Sequence, residues 1–508
     1  VTNKTLKERF DKLDAARQGV INTAEKCAEL TLRHIFPPSG TDNNTYLGKP
    51  WQAVGARGVN NLASKMLIAL LPPDGGFFRY TLDPNVKASL EVEVLRQAES
   101  ILALSEEVTL QALNNYTLRH TLFEALKHVI ITGNVALWVD TKKNRMKLYN
   151  LRDYVVTRDK AMNLTSVILK ESVDVDVLPP EVRQFVLQEN LTKTDQADSG
   201  NITADEENPY VTLYTGAKLI EGKWEMWQEV EGVEVPKSRH QVSRLPILVL
   251  RWSNNIYGRG MIEQVLGDLD TLETLTKAVT EGSIAASRVI FMVKPHTITN
   301  ASKLARARNA SIIEGNPDDV GTLQMNKYAD FRVALERIAI LEQRLNQMFL
   351  IFQPRQAERV TAEEIRRLTE ELEALLGGVY TLLAEELQKP LLELVFEDMQ
   401  KSGKIPKMPK DDIHVTVLTG FEALSRTTTL NKLLTMLNAI ASVPDALQYI
   451  QWDEYLARVL NSLNINPKGL VKTQEQLQAE QQAMMQQQTA TQVAGQQLLQ
   501  QGQNPKNL

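Results

Sequence analysis

MIEQVLGDLDTLETLTKAVTEGSIAAS, residues 261–287, and ADFRVALERIAILEQRLNQMFLIF, residues 329–352, are the two stretches whose reading decides the fold. Each repeats its apolar residues three and four apart along its length, the period of a helix with one covered face. The chain between them changes character: Val289–Val293 is strand-like, and Gly315-Asn316-Pro317-Asp318 is built of turn formers. Two long helices flanking a small β-containing module predict a hairpin with a tip.

Beyond the hairpin, Thr361-Ala362-Glu363-Glu364 sets a hydroxyl at a helix start and a carboxylate three residues on, which is the capping-box pattern. That helix is expected to reach Gln388, with a kink or close packing at Gly377-Gly378 and an end or restart at Pro390. Upstream, the period shortens towards 2 at Val135–Asp140, Met146–Leu151, Val155–Arg158 and Ser166–Val173, then again at Tyr210–Tyr214, Trp224–Val230 and Pro246–Arg251. The polar run Thr192–Asn208 between these groups is expected to be a surface loop. Further upstream still, helical spacing covers Leu6–Leu32, Trp51–Leu71 and about Ser89–Gly133, the last broken near Tyr116–Thr121. The fold class is therefore α+β, mainly helical.

At 508 residues the chain exceeds what one hydrophobic core organises, so it must be segmented. Its 43% hydrophobic and 23% charged residues are ordinary for a folded protein. The last 36 residues, Thr473–Leu508, hold 14 glutamines and read as disordered or as a weak coiled coil. The single cysteine, Cys27, cannot form an intramolecular disulfide, and the N-terminal run is charged and amphipathic, which points to assembly in a reducing cytoplasm. Met66–Leu71 and Leu245–Leu250 are far shorter than the roughly 20 residues of a membrane span. A net charge of −5 argues against a high-affinity nucleic-acid binder.

No catalytic constellation emerges. Gly48-Lys49 is followed by Pro50 and lacks the upstream glycine of a phosphate loop, and no His-Glu-x-x-His, Gly-x-Ser-x-Gly or Cys-x-x-Cys pattern occurs. The six histidines are scattered, His120 and His128 included, and read as surface or hydrogen-bonded groups. Asp318-Asp319 and Asp411-Asp412 lie in turn contexts that favour Asp for its backbone hydrogen bonds rather than as metal ligands. Gly258 and Gly260 lack the third glycine of a dinucleotide fingerprint. The expectation is a protein without catalytic, cofactor or metal residues.

Several stretches, in order, resemble the portal (head-to-tail connector) proteins of T7-like podoviruses. They are Pro50–Lys65 (PWQAVGARGVNNLASK), Leu122–Lys127 continuing to Gly133-Asn134-Val135, and Tyr154-Val155-Val156 with Arg158-Asp159. Tyr257-Gly258-Arg259 with Leu266–Leu269 follows, then Glu358–Arg366 with Leu376–Tyr380. The resemblance spans about residues 50 to 390 and does not include the glutamine-rich tail. It implies a ring of twelve subunits at one capsid vertex, through which double-stranded DNA passes during packaging and ejection. By matching order it implies a wing (1–256), two stem helices (257–288 and 329–352) around a clip (289–328), a channel loop (353–360), a long kinked wing helix (361–410) and a helical crown (411–472).

The implied partners are the terminase large subunit, tail adaptor or gatekeeper proteins, major capsid and scaffolding proteins and internal core proteins, with no membrane. The implied location is the virion's portal vertex, after assembly in the host cytoplasm. In the loop, Arg355, Gln356 and Arg359 either touch phosphates or brace the loop against Glu358 and neighbouring carboxylates. In the clip, Lys303, Arg306 and Arg308 form either a docking surface or a solvated helix face. Trp224, Trp227 and Trp252 are expected in the wing's core. A non-ring virion adaptor or scaffold, and a nucleic-acid enzyme, are the competing classes. A conduit must not grip DNA, since each neutralised phosphate adds salt-sensitive affinity, and the acidic balance is compatible with that requirement.

Overall fold

The computed structural model describes residues 4–41, 45–71, 77–89, 92–115, 118–178, 180–188, 210–287, 290–296, 298–308, 311–323, 328–351, 377–406 and 413–417, with a few more between 433 and 459. The elements are α1 (Leu6–Ala16), α2 (Gln18–Glu29), α3 (Val54–Leu70), β1 (Phe78–Leu82), α4 (Pro84–Ser89), α5 (Val92–Asn115), α6 (Leu118–Thr132), β2 (Asn134–Asp140), β3 (Arg145–Tyr149), β4 (Tyr154–Arg158) and β5 (Leu164–Asp174). They continue with α7 (Pro180–Gln188), β6 (Tyr210–Ile220), β7 (Lys223–Val230), β8 (Val233–Glu234), β9 (His240–Val242), β10 (Ile247–Arg251), α8 (Met261–Ser287), β11 (Ile290–Val293), α9 (Ala301–Ala305), β12 (Val320–Leu323), α10 (Tyr328–Met348), α11 (Lys389–Lys401) and β13 (Ile413–Val417). Helix and strand are mixed as the α+β reading requires. No helix among the described residues is long and apolar enough to cross a membrane.

Contacts divide the chain into two units. The first comprises Val1–Leu71, Thr109–Thr361 and Ala374–Lys407, and the second Pro72–Val108, Ala362–Glu373 and Met408–Leu508. In the second, β1 and β13 pair antiparallel with Tyr80 opposite Val415. The Tyr80 N–H donates to Glu106 of α5 (2.8 Å), and the rings of Phe77, Phe78 and Tyr80 stack edge to face. The periodicity predicts neither strand, and β13 falls where only helix is expected; the two meet only through the fold, across more than 300 positions.

The first unit is built on two antiparallel sheets. One has the order β10-β2-β3, and the other runs β4-β5-β6-β7-β8 with β9 also on β7. β6 extends to Ile220, well past the expected end at Tyr214. α1 lies on the larger sheet through Leu6 and Phe10, packed with Val155, Ile168, Tyr214 and Trp227. The start of α1 is fixed twice: Thr5 Oγ1 accepts from the Glu8 N–H (3.2 Å), and the Leu6 N–H donates to buried Glu229 (2.6 Å). The expected single helix Leu6–Leu32 is divided at Arg17, whose φ of −109° and ψ of 10° leave the helical region. Periodicity runs through the break because both helices bury the same kind of face. Trp227 and Trp252 are core residues as expected, while Trp224 is half-buried.

α8 and α10 form the expected hairpin, with the ribbon β11–β12 and the short α9 at its tip. They run antiparallel: Arg344 pairs with Asp268 (3.0 Å), and further out the Phe331 ring rests on Gly282, where a Cβ would lie 2.6 Å from it. Residues 377–383 are helical, and both glycines there are exposed, a Cβ added at either meeting nothing within 4 Å beyond the helix's own backbone. Close packing at the glycines is therefore not what shapes this helix. Its departure from α geometry is a π turn at Ala384–Gln388, after which α11 restarts with Pro390 in its first turn.

Candidate functional site at the root of the helical hairpin

Apolar burial is confined to one end of the hairpin. Met261, Ile262, Val265, Leu269 and Leu272 of α8, and Leu341, Leu345 and Phe349 in and just after α10, are buried at this root. Outward from it, Ile284, Val333, Leu335 and Ile340 are each more than half exposed.

α3 grips both helices at the root. The N–H groups of Trp51 and Gln52 donate to the Glu273 carboxylate of α8 (2.9, 3.0 and 3.2 Å). Gln52 itself accepts from the Gly55 N–H (2.9 Å) and donates to the Leu30 carbonyl (2.7 Å), so the start of α3 is fixed at the same point. One turn apart along α3, three polar residues reach the end of α10. Arg57 donates to Asn346 (2.9 Å), Asn61 donates to the carbonyls of Phe349 (3.0 Å) and Leu350 (3.2 Å), and Lys65 also donates to Leu350 O.

The need for these donors lies in the sequence. Leu350 is left-handed (φ 53°), and the Ile351 N–H returns to Asn346 O (2.8 Å), which stops the helix. Pro354 follows four residues after Leu350 and has no N–H, so a continued helix could never satisfy the Leu350 carbonyl. Gly58 completes the grip: a Cβ there would stand 2.4 Å from the Phe349 ring.

A second junction sets the start of α8. Gly133, at φ +76°, lies against the backbone of Gly258–Gly260, and a Cβ on it would fall 2.4 Å from Gly258 O and 2.5 Å from Gly260 N. Asn134 seals the contact, donating to Gly258 O and accepting from Gly258 N–H, both at 2.7 Å. Gly258 and Gly260 thus serve close backbone approach. Beside them the Tyr257 hydroxyl accepts from the Val156 N–H (3.1 Å), and Arg17 lies over the Tyr257 ring.

A third cluster ties the π turn to both sheets. Glu386 Oε1 accepts from Arg251 of β10 (2.7 Å) and Arg158 of β4 (3.2 Å), and all three side chains are nearly buried. Burial pushes the Glu386 carboxyl above its ordinary range, against the pull of Arg158 and Arg251. The cluster borders an open cavity of about 890 Å³ lined by Met162, Arg244, Leu248, Trp252, Gly378 and Leu382, among others.

At the tip, Lys303, Arg306 and Arg308 are all exposed, on and just beyond α9, and none has an ion-pair partner among the described residues. Ile298 and Ile312 beside them are more than four-fifths exposed. Asp319 of the Asp318-Asp319 pair is a structural acceptor: Thr299, twenty residues earlier, donates to it (2.9 Å) across the tip. Arg355, Gln356 and Arg359, the capping box at Thr361–Glu364, the Thr192–Asn208 run, Asp411-Asp412 and the glutamine-rich tail lie outside the described residues. His120 is exposed. His128 is buried with its Nδ1 unpartnered among the described residues, unlike the expected surface or hydrogen-bonded group.

Of the two expected basic sets, Lys303, Arg306 and Arg308 are thus exposed at the tip of the hairpin. The structure also exposes a grip that residue-by-residue reading does not find, since Glu273, Asn61, Lys65 and Glu386 belong to no chemical motif. The only sequence signal for it is their surroundings: Pro50–Lys65, Gly133-Asn134, Tyr257–Arg259 and Arg158 all come from the stretches that carry the family resemblance. What this arrangement does is mechanical, holding two helices at one end and leaving the other end projecting.

Residues 3–471 match the family described as bacteriophage head to tail connecting protein. The chain is similar to the portal protein of Escherichia phage T7, 35% identical over 493 residues that cover 93% of this chain and 89% of the relative. It is also similar to the portal protein of Enterobacteria phage T3, 34% identical with the same coverage, and to that of Enterobacteria phage SP6, 28% identical over 96% of this chain and 95% of the relative.

Proposed function

Because the chain belongs to the bacteriophage head-to-tail connecting protein family, we propose that it is the subunit of a dodecameric portal ring at one capsid vertex. In this reading the ring is the conduit for genome packaging and ejection and the platform for the terminase large subunit and tail adaptors. α8 and α10 are the stem, the β11–β12 ribbon with α9 is the clip, and residues 353–360 are the channel loop. The protein is a structural component of the virion, not an enzyme.

The observation that carries this reading is the outer half of the hairpin. Ile284, Val333, Leu335 and Ile340 lie exposed on its two helices. A single chain leaves this apolar surface in water, whereas copies arranged side by side about an axis would cover it. Burying each such side chain is worth about 1.5–3 kcal/mol, and a head-to-tail contact of this kind closes into a ring when its rotation closes.

Mass photometry of the purified protein tests the proposal. The expected result is a closed particle of twelve chains of 57.2 kDa, about 690 kDa. A monomer that forms no ring at any concentration would overturn it in favour of a virion adaptor. Lys303, Arg306 and Arg308 form the docking surface of the clip in this reading. Their joint replacement by alanine is expected to leave the ring intact while weakening capture of the terminase or tail adaptor at low salt, as loss of exposed charge should.

A further inference from the structure

The turn between β2 and β3 carries a charge cluster that the fold does not need. Thr141-Lys142-Lys143-Asn144-Arg145-Met146-Lys147 places four cations in seven residues of a chain whose net charge is −5. The turn itself is made by other groups. Asp140 Oδ1 accepts from the Lys142 and Lys143 N–H groups (3.1 Å each), and Asn144 takes the left-handed position at φ 52°. Asp140 and Arg145 then face each other across the ladder, and Met146 is buried. Any polar side chain would serve this geometry at positions 142 and 143.

Nor are the cations used by the rest of the protein. Lys142, Lys143 and Arg145 are exposed, and none has an ion-pair partner among the described residues. Lys147 is paired, with Glu171. Even with Asp140 counted against the three, the turn keeps an excess of positive charge. Charge on a sheet edge guards against edge-to-edge pairing, and β3 pairs with β2 alone among the described strands. That accounts for Arg145 and Lys147 but not for Lys142 and Lys143, which stand off the ladder.

The surroundings decide which partner fits. Protein interfaces are anchored by apolar and aromatic side chains at their centre, with charge left to the rim. The β2–β3 turn exposes no such anchor, since Thr141 and Asn144 are polar and Met146 is buried. The tip of the helical hairpin differs, because Ile298 and Ile312 stand exposed beside its cations. A rigid cluster of Lys, Arg and Asn without an anchor matches the groups that hold nucleic-acid phosphates.

We infer that Lys142, Lys143 and Arg145 form a contact site for the phosphate backbone of duplex DNA, independent of base sequence. Three neutralised phosphates give a salt slope of about −2.7, so a fourfold rise in salt weakens the contact about 40-fold. The contact is therefore transient, in keeping with the acidic balance of the whole chain. It lies outside residues 353–360 and does not rest on the ring proposed above, because one chain holds all three cations.

Fluorescence anisotropy of the full-length protein with a labelled duplex of about 30 base pairs tests this, at about 50 and about 200 mM salt. Lys142→Ala/Lys143→Ala/Arg145→Ala is expected to bind at least tenfold more weakly at the lower salt, with a slope shallower by about 2.7 for each turn engaged. Lys142→Arg/Lys143→Arg keeps the charge and should bind as the parent does. If the triple variant melts lower than the parent, Lys142→Gln/Lys143→Gln, off the ladder, is read in its place, with a slope shallower by about 1.8. A parent that binds no duplex at the lower salt, or variants with the parent's affinity and slope, would overturn the inference. So would turn-dependent binding of labelled polyglutamate in preference to the duplex, which marks an acidic protein partner instead. Mass photometry is run on the same samples: a monomeric parent whose variants show the expected loss would strike at the proposed ring and leave the DNA contact standing.

Discussion

Gly133→Ala is the most demanding test of how α8 is rooted. The glycine occupies the left-handed region at φ +76°, which costs an L-residue about 1–2 kcal/mol. The added Cβ would also stand 2.4 Å from Gly258 O, 2.5 Å from Gly260 N and 2.8 Å from Arg259 C. All three are backbone atoms and none can swing aside. Gly133 is itself tied down, its N–H to Val129 O (3.0 Å) and its carbonyl to the Trp252 N–H (2.9 Å), while Asn134 clamps Gly258 from both sides. Overpacking of this kind adds about 1–3 kcal/mol. The sum is about 3 kcal/mol, or a melting point roughly 4 °C lower for a unit of this size, whose unfolding entropy is about 0.75 kcal/mol/K at about 2.1 cal/mol/K per residue. Differential scanning fluorimetry on the variant reads that shift. The control is Gly19→Ala in α2, where nothing lies within 4 Å, and it should melt no lower than the parent. A Gly133→Ala protein melting within 1 °C of the parent, or a control that falls as far, would refute the close approach of Gly133 and Gly258–Gly260.

Two further outcomes are expected. Replacing Asn61 and Lys65 together by alanine strips the Leu350 carbonyl of its donors, and a buried acceptor left unmet costs about 1–3 kcal/mol; a urea midpoint that does not move would contradict the grip on α10. His128 gives a pH dependence: burial first, with Lys127 and His34 adding and Glu124 opposing, lowers its pKa from 6.5 to about 4. The unfolded chain therefore binds the proton first, so stability is full above pH 6.5 and falls as the pH drops towards 4, by on the order of 3 kcal/mol. Denaturation midpoints at pH 7 and pH 4.5 for the parent and for His128→Gln check this, and the variant should show the smaller loss.

The hairpin was the most legible part of the molecule, because long amphipathic helices announce themselves through a repeat that needs no partner. Met261–Ser287 is the same in the pattern and in the structure. Four strands of the larger sheet, β4 to β7, were legible as β-rich runs separated by polar turns, while β8 and β9, two and three residues long, were not. What periodicity could not show is what depends on distant partners. β1 and β13 find each other across more than 300 positions, and the break at Arg17 is made by a side chain that folds back on Asp14 and stacks over Tyr257. The one sequence mark of the π turn is Pro390, which cannot donate to the Glu386 carbonyl four residues before it, and the glycines that invited a kink lie seven and six residues upstream of the turn. Among candidate site residues, basic runs such as Lys303–Arg308 are visible because charge clusters are visible. Glu273 and Glu386 are not, since a lone carboxylate on a helix looks the same whether it is solvated or gathers donors from across the molecule.

The seat that Gly58 offers to Phe349 has a consequence for how the chain is made. Asn61 and its acceptor on Phe349 are separated by 288 residues. At synthesis rates of about 5–20 residues per second, α3 leaves the ribosome roughly 15–60 s before the residue that fills its groove exists. During that interval α3, which carries the fully buried Val59, Leu62 and Ala63, lacks its contact with the end of α10. The hairpin can zip locally as soon as it emerges, but the root closes only after it, as a late and long-range step. Nascent chains paused before residue 349 should therefore be the most aggregation-prone, and the ones a chaperone holds longest.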